Sequence, residues 1–213
     1  MNRLTTISPQ DIEQESFRII EDEFYRQTGR EPDEFDRDTF RVIRRVIHAT
    51  GDFSFAHDLN FHAGAIHRGI DAIRAGRNIY CDVTMAASGI NMKMLSRHGG
   101  TVICRINDPK IAEEAQRAGK TRTETAIAKV QHENIGIISI GNAPTALVKA
   151  MQMIEAQEIE PDLLVGVPVG FVNAAESKEI LLEKKYPFIT CKGRKGGTPV
   201  AVAIINALIR LAD

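Results

Sequence analysis

Tryptophan is absent from the 213 residues, and tyrosine and cysteine occur three times each. An odd cysteine total without CxxC spacing excludes a disulfide scaffold and a zinc ribbon. Cys81, Cys104 and Cys191 each sit in a short apolar run that reads as a strand, so buried free thiols are the expectation. No apolar run approaches the ~20 residues that a membrane span needs. Residues Met1 to Gln10 show no basic stretch followed by an apolar core, so neither an export nor an import leader is read there and a cytoplasmic chain is expected. An excess of one charge sign is missing too. The 27 Lys and Arg against 28 Asp and Glu leave a formal charge of -1, whereas a general nucleic-acid binder neutralises phosphates with surplus cations. An anionic ligand therefore has to meet a local basic patch.

What is present is ordinary for a water-soluble globular chain: 43% hydrophobic and 26% charged residues. The length suits one domain over residues 1–213, large enough to bury roughly 70% of its unfolded surface. No repeat, low-complexity tract or Ser/Gly/Pro linker divides it, and the acidic stretch Arg30 to Asp38 reads as an exposed loop.

The chain opens with a helical preface. Ser8-Pro9-Gln10-Asp11 has the form of a helix start, and a helix follows to about Arg26, with Ile12, Ile19, Ile20 and Phe24 on one face and Ser16 interrupting that stripe. A second helix, about Asp36 to Ala49, buries Val42, Ile43, Val46 and Ile47 and stops at Gly51. A third, about Asp58 to Ala75, buries Ala63, Ile66, Ile70 and Ile73. Short apolar runs then alternate with helical segments: Asn78 to Val83, Thr101 to Ile106, Ile135 to Ile140, Asp162 to Val167 and Tyr186 to Cys191. Helix starts follow them at Asp108-Pro109, Asn142 with Pro144, Pro168 and Thr198-Pro199. The pattern predicts an α/β fold, a three-layer α/β/α sandwich around a mainly parallel five-stranded sheet, flavodoxin-like in general form.

In such a sheet ligands bind beyond the carboxyl ends of the strands. Those positions here read Asp82-Val83-Thr84-Met85, Gly141-Asn142-Ala143-Pro144-Thr145, Pro168-Val169-Gly170-Phe171 and Gly193-Arg194-Lys195-Gly196-Gly197-Thr198. The last joins a basic pair to free amides at a helix start, which is either an anion site or a solvated turn; GxxxxGK[ST] is absent. His57, His62 and His67 recur every five residues, about 140° apart on a helix, and cannot gather round one metal. His48 is different. It lies at a helix end before Ala49-Thr50-Gly51-Asp52, where the imidazole is exposed and an acid can orient it, or where it simply caps the helix. Arg41, Arg44 and Arg45 share its face, which either receives a polyanion or is solvated.

Several ordered motifs carry a resemblance that spans nearly the whole chain: Ile47 to Phe53, Thr121-Arg122-Thr123, Ile140 to Ala146, Val165 to Val172, Ala175 to Glu179 and Gly193 to Gly197. The sequence resembles the precorrin-8X methylmutases and their cobalt-pathway counterparts. Two departures are Ser88 within Ala87-Ser88-Gly89-Ile90 and Thr198 where a Ser is expected.

The resemblance implies a formal 1,5-sigmatropic methyl shift from C-11 to C-12 of a corrin precursor, giving hydrogenobyrinic acid or its cobalt equivalent, without a cofactor or a protein-bound metal. It places the proton donor at His48. Arg122, Arg194 and Lys195 would grip the acetate and propionate arms, and Ser16, Thr50, Thr84, Asn142 and Thr145 would supply neutral hydrogen bonds. It also implies a homodimer to which the helical preface contributes, and a corrinoid product handed to neighbouring pathway enzymes. Two other readings compete: a corrinoid carrier without catalysis, and a flavodoxin-like nucleotide or phosphate enzyme using Gly193 to Thr198 for phosphate and Asp82 for magnesium.

Overall fold

A computed structural model describes Ser8 and residues 11–213. Pro9 and Gln10 of the expected helix start lie outside the described residues, as do residues 1–7. The chain runs through α1 (Ile12–Thr28), α2 (Arg37–Thr50), α3 (Phe55–Asp58), β1 (Leu59–Phe61), α4 (Ala65–Arg74), β2 (Asn78–Cys81), α5 (Thr84–Gly89), α6 (Met92–Leu95) and β3 (Val102–Ile103). It continues through α7 (Pro109–Ala118), α8 (Arg122–Ile127), β4 (Ile135–Ile140), α9 (Pro144–Glu155), β5 (Leu163–Gly166), α10 (Ala174–Leu182), β6 (Phe188–Cys191) and α11 (Thr198–Ala212).

The strands form one sheet in the order β1-β6-β5-β4-β2-β3. The five expected strands are all present and parallel, and a sixth, β1, pairs antiparallel with β6 through Leu59–Cys191, Asn60–Thr190 and Phe61–Ile189. This corrects two expectations. The sheet has six strands rather than five, and the segment expected as one helix from Asp58 to Ala75 begins at the last residue of α3 and is an edge strand, a turn and α4. The open edge of β6 supplies the ladder partners that hold Leu59 to Phe61 extended. Ala63, expected in the core, is exposed in the turn between β1 and α4.

Alternation along the buried strands divides the interior into two cores. Ile79, Cys81, Ile137, Leu163, Val165, Ile189 and Cys191 face α2, α4 and α11, whereas Tyr80, Ile138, Ile140, Leu164 and Phe188 face α8, α9 and α10. The sheet therefore lies between two helical layers. Helix α11 is the axis of the first core, with ten of its fifteen residues buried. Cys81 and Cys191 are buried free thiols as expected; Cys104 lies just past β3 and is only half-buried.

Helix α1 packs on α2, but not by the expected stripe. Ile20 and Phe24 are buried, while Ile12 and Ile19 are 51% and 45% exposed. At 100° per residue the buried face centres on Phe17, Ile20 and Phe24, and Ile12, Ser16 and Ile19 lie round the helix from it. The Arg30 to Asp38 stretch is more ordered than a plain loop: a 3-10 turn at Pro32–Glu34 carries a reciprocal Glu31–Glu34 cap, and Phe35 packs edge-on to Phe24, centroids 6.0 Å apart.

Candidate active site

His48 is placed by α2. The Asp36 carboxylate accepts the N–H groups of Asp38 and Thr39 at 3.1 and 3.0 Å, and Gly51, in the left-handed region at φ 66°, ends the helix by donating to the Ile47 carbonyl. Burying Val42, Ile43, Val46 and Ile47 leaves His48 exposed on the last turn. Its ring meets Phe17 of α1 edge-on, with centroids 5.3 Å apart. Phe17 also lines an open groove of about 650 Å³ along α1, with Gln14, Arg18, Glu21 and Arg44. His48 itself is not on the wall of that groove and adjoins it only through Phe17.

Thr50 donates its hydroxyl to the Val46 carbonyl at 2.8 Å and accepts from the Asp52 amide. Asp52 does not orient His48. Its carboxylate takes the Lys195 ammonium at 2.6 Å, and the same ammonium donates to Ser54 Oγ at 2.8 Å. The Lys195 hydrogen bond holds the Asp52 carboxyl below the usual carboxylate range, and in return Asp52 holds the Lys195 ammonium above its own. The arginines beside His48 are likewise engaged. Arg41 pairs with Asp38, Arg44 with Glu21 and Arg45 with Glu13, and Arg44 and Arg45 also lie over the Phe17 ring. The expected cationic face of α2 is therefore partly neutralised, because α1 lays two of its acids along it, with Glu13 shared between Arg45 and Arg210.

A second group gathers where β2 and β4 end. Asp82 is fully buried, and its carboxylate accepts the amides of Gly141, Asn142 and Ala143 at 3.2, 2.9 and 2.8 Å. Burial pushes its pKa up, against three N–H groups that favour the carboxylate. A carboxylate enclosed in this way offers no face to a magnesium ion, which removes the magnesium half of the nucleotide reading. The same contacts present the Asn142 side chain to solvent. Thr84, exposed at the start of α5, accepts from Asn107 at 3.1 Å.

A third group lies at the starts of α8 and α9. Thr145 shares its hydroxyl with Thr121 at 2.9 Å and Thr123 at 3.3 Å, and Arg122, between those two threonines in the chain, is exposed. A cavity of about 290 Å³ opens beside Thr145, with Glu124, Asn173 and Ser177 on its wall. Arg194, also exposed, lies 5.2 Å from the ring centre of Phe171.

Thr84, Asn142, Thr145, Arg194 and Lys195 thus lie on the turns that follow parallel strands, Thr121 ties the start of α8, with Arg122, to Thr145, and Lys195 ties the stretch just after His48 and Thr50 to the turn after β6. Ser16 joins none of these clusters in the single chain. It lies on α1, and its hydroxyl donates back to the Ile12 carbonyl at 2.7 Å. Sequence reasoning missed Ser54, Asn107, Thr121, Thr123 and the buried Lys178. Thr121 and Thr123 flank Arg122 in one of the ordered motifs; nothing local marks the others.

With that geometry in place, similarity to known proteins is informative. A family model for precorrin-8X methylmutase matches residues 11–211. The chain is 42% identical over 209 residues to the cobalt-precorrin-8 methylmutase of Priestia megaterium, covering 98% of this chain and 90% of the relative. It is 43% identical over 205 residues to the cobalt-precorrin-8 methylmutase of Salmonella typhimurium, covering 94% of each chain. Among solved structures, precorrin-8x methyl mutase from Thermus thermophilus superposes with a TM-score of 0.85 at 38% identity, over 95% of this chain and 96% of that one.

Proposed function

The chain belongs to the precorrin-8X methylmutase family, and from that premise we propose that it moves a methyl group from C-11 to C-12 of precorrin-8X or cobalt-precorrin-8 in cobalamin biosynthesis. The full-length match to methylmutases at 42% and 41% identity carries this reading. The reaction is an isomerisation. The methyl group and its bonding pair relocate within the conjugated ring, so no electron donor or acceptor is consumed.

His48 is the proton donor in this reading. Protonating the ring near the migrating methyl withdraws electron density and eases the shift, and returning the proton restores the histidine with no net change. Its exposure at the end of α2 supports the role, because a donor has to reach the ring. Arg122 and Arg194, exposed and without a carboxylate partner among the described residues, suit bidentate binding of the carboxylate arms. Lys195 reaches a substrate carboxylate only by leaving Asp52. Asn142, Thr84 and Thr145 offer neutral hydrogen bonds; Thr50 and Ser16 donate into their own helices and would act as acceptors.

The working unit in this reading is a homodimer of one-domain chains in the cytoplasm. Ile12 and Ile19 on α1 are 51% and 45% exposed and lie on one side of the helix, a small apolar patch suited to a second copy, and it would bring the neighbouring Ser16 into an interface. The order β3-β2-β4-β5-β6 of the parallel strands supports a flavodoxin-like fold, with the direction of winding reversing between β2 and β4. No helix among the described residues is long and apolar enough to cross a membrane. Hand-over of product to a neighbouring pathway enzyme is consistent with a site that opens at the sheet edge.

The test offers precorrin-8X and cobalt-precorrin-8 separately to the purified protein and follows the visible spectrum, since methyl migration changes the conjugation. Wild type is expected to convert one or both, and His48→Ala to lower the rate by about 10² to 10⁴-fold while still binding. Binding without conversion by wild type would make the protein a carrier, and absence of binding would remove the functional reading.

A further inference from the structure

Lys178 lies on α10 and is 1% exposed, yet no carboxylate pairs with it among the described residues. An ammonium withdrawn from water without a counter-ion is costly, so what holds it in place matters. Two groups do. Its Nζ donates to the Lys195 carbonyl oxygen at 2.5 Å and approaches the Cys191 sulfur at 3.5 Å, and the Cys191 thiol donates to the same carbonyl at 3.1 Å. Burial holds the Lys178 pKa below the ordinary lysine value, against the pull of Cys191.

The carbonyl at the centre of this arrangement belongs to the turn that carries Arg194 and Lys195. The backbone anchors of that turn lie at its two ends and at Arg194: Lys192 donates to the Asp58 carbonyl at 2.8 Å, Gly197 donates to the Val167 carbonyl at 2.7 Å, and Gly170 donates to the Arg194 carbonyl at 3.2 Å, which leaves the Lys195 carbonyl to Lys178 and Cys191. Gly196, at φ 142°, presses so closely on the Val167 carbonyl that a Cβ there would overlap it. The Lys195 peptide points inward to Lys178 while its side chain points outward to Asp52 and Ser54, on the stretch that follows the helix bearing His48. One residue therefore couples a buried cation to two loops of the candidate site.

We propose that Lys178 is a positioning residue: its buried ammonium holds the Lys195 carbonyl, and so fixes the 192–197 turn in the place that presents Arg194 and Lys195 to the carboxylate arms of a corrinoid. This rests on the corrinoid-binding reading above. Lys178 is too deeply buried to touch the substrate and acts through the turn alone. Removing its head group leaves a carbonyl facing the core with only a thiol donor, and the turn is released from below.

The experiment compares full-length Lys178→Met, Lys178→Gln and Lys178→Arg with wild type by thermal unfolding, steady-state kinetics on whichever substrate wild type converts, and hydrogen exchange of peptides covering residues 192–199. The two neutral variants are expected to fold, to keep kcat within about threefold, to raise KM by about tenfold or more, and to lose amide protection in 192–199 but not in the sheet. Lys178→Arg, which keeps a charged donor, is expected to recover part of the KM. A folded neutral variant with KM within about twofold of wild type, or with unchanged protection of the turn, would overturn the proposal. Failure of both neutral variants to fold would also overturn it, making Lys178 a requirement of the core. Should wild type convert neither substrate, the functional reading fails, and the exchange measurement still decides whether Lys178 holds the turn.

Discussion

A carboxylate survives away from water only when polar hydrogens surround it, and Asp82 has three, from consecutive backbone amides. Removing it strands all three donors in a dry setting. Asp82→Ala is expected to lower stability by roughly 3 kcal/mol, about 1 for each amide left unpaired, read as a drop in the urea midpoint with an unchanged slope. A loss below about 1 kcal/mol would mean that water replaces the carboxylate. Sequence inspection offers Asp82 to magnesium because an acid after a parallel strand has the right chemistry. It says nothing of burial, and burial is what turns this acid inward. The same limit applies to Asp52, close to His48 in the chain but bonded to Lys195 across 143 positions, and to Lys178, whose sequence surroundings are those of any helical lysine.

Elements were most legible where their signals are local. Helix α2 was readable at both ends and along its buried stripe, because an N-cap, a 3.6-residue period and a left-handed glycine all act within a few residues. Asp36→Ala should cost about 1 kcal/mol, since two amides lose their acceptor at the start of the helix that carries His48. A fall in melting temperature with the far-ultraviolet spectrum retained would show it, and an unchanged melting temperature would mean the cap is dispensable. Strand β1 was not legible. Three residues, Leu59 to Phe61, carry too little pattern, and what makes them a strand is the free edge of β6. Helix α1 was half legible: its period was plain, but which side would be buried depended on where α2 lay.

At the scale of the molecule, the two cores account for most of the large apolar side chains, and those left exposed gather on α1, at the start of α5 and around Val169 to Val172, among other places. Ile12 and Ile19 on α1 are the patch that the homodimer reading assigns to a second copy. Light scattering on the purified protein should then give twice the chain mass of 23.6 kDa, and a combined Ile12→Glu and Ile19→Glu variant should shift it toward one chain. A wild-type mass of a single chain would remove the dimer. The amino-acid sequence by itself determined the five parallel strands, most helices, the family resemblance and the set of polar loops from which the site is built, because periodicity, caps and motifs are written over short stretches of chain. Only the tertiary structure decided the edge strand, the inward turn of Asp82, and the pairing of Arg41, Arg44 and Arg45 with acids while Arg122 and Arg194 have no carboxylate partner among the described residues. Those outcomes depend on burial and on charges brought together from distant parts of the chain, and neither quantity exists until the chain has folded.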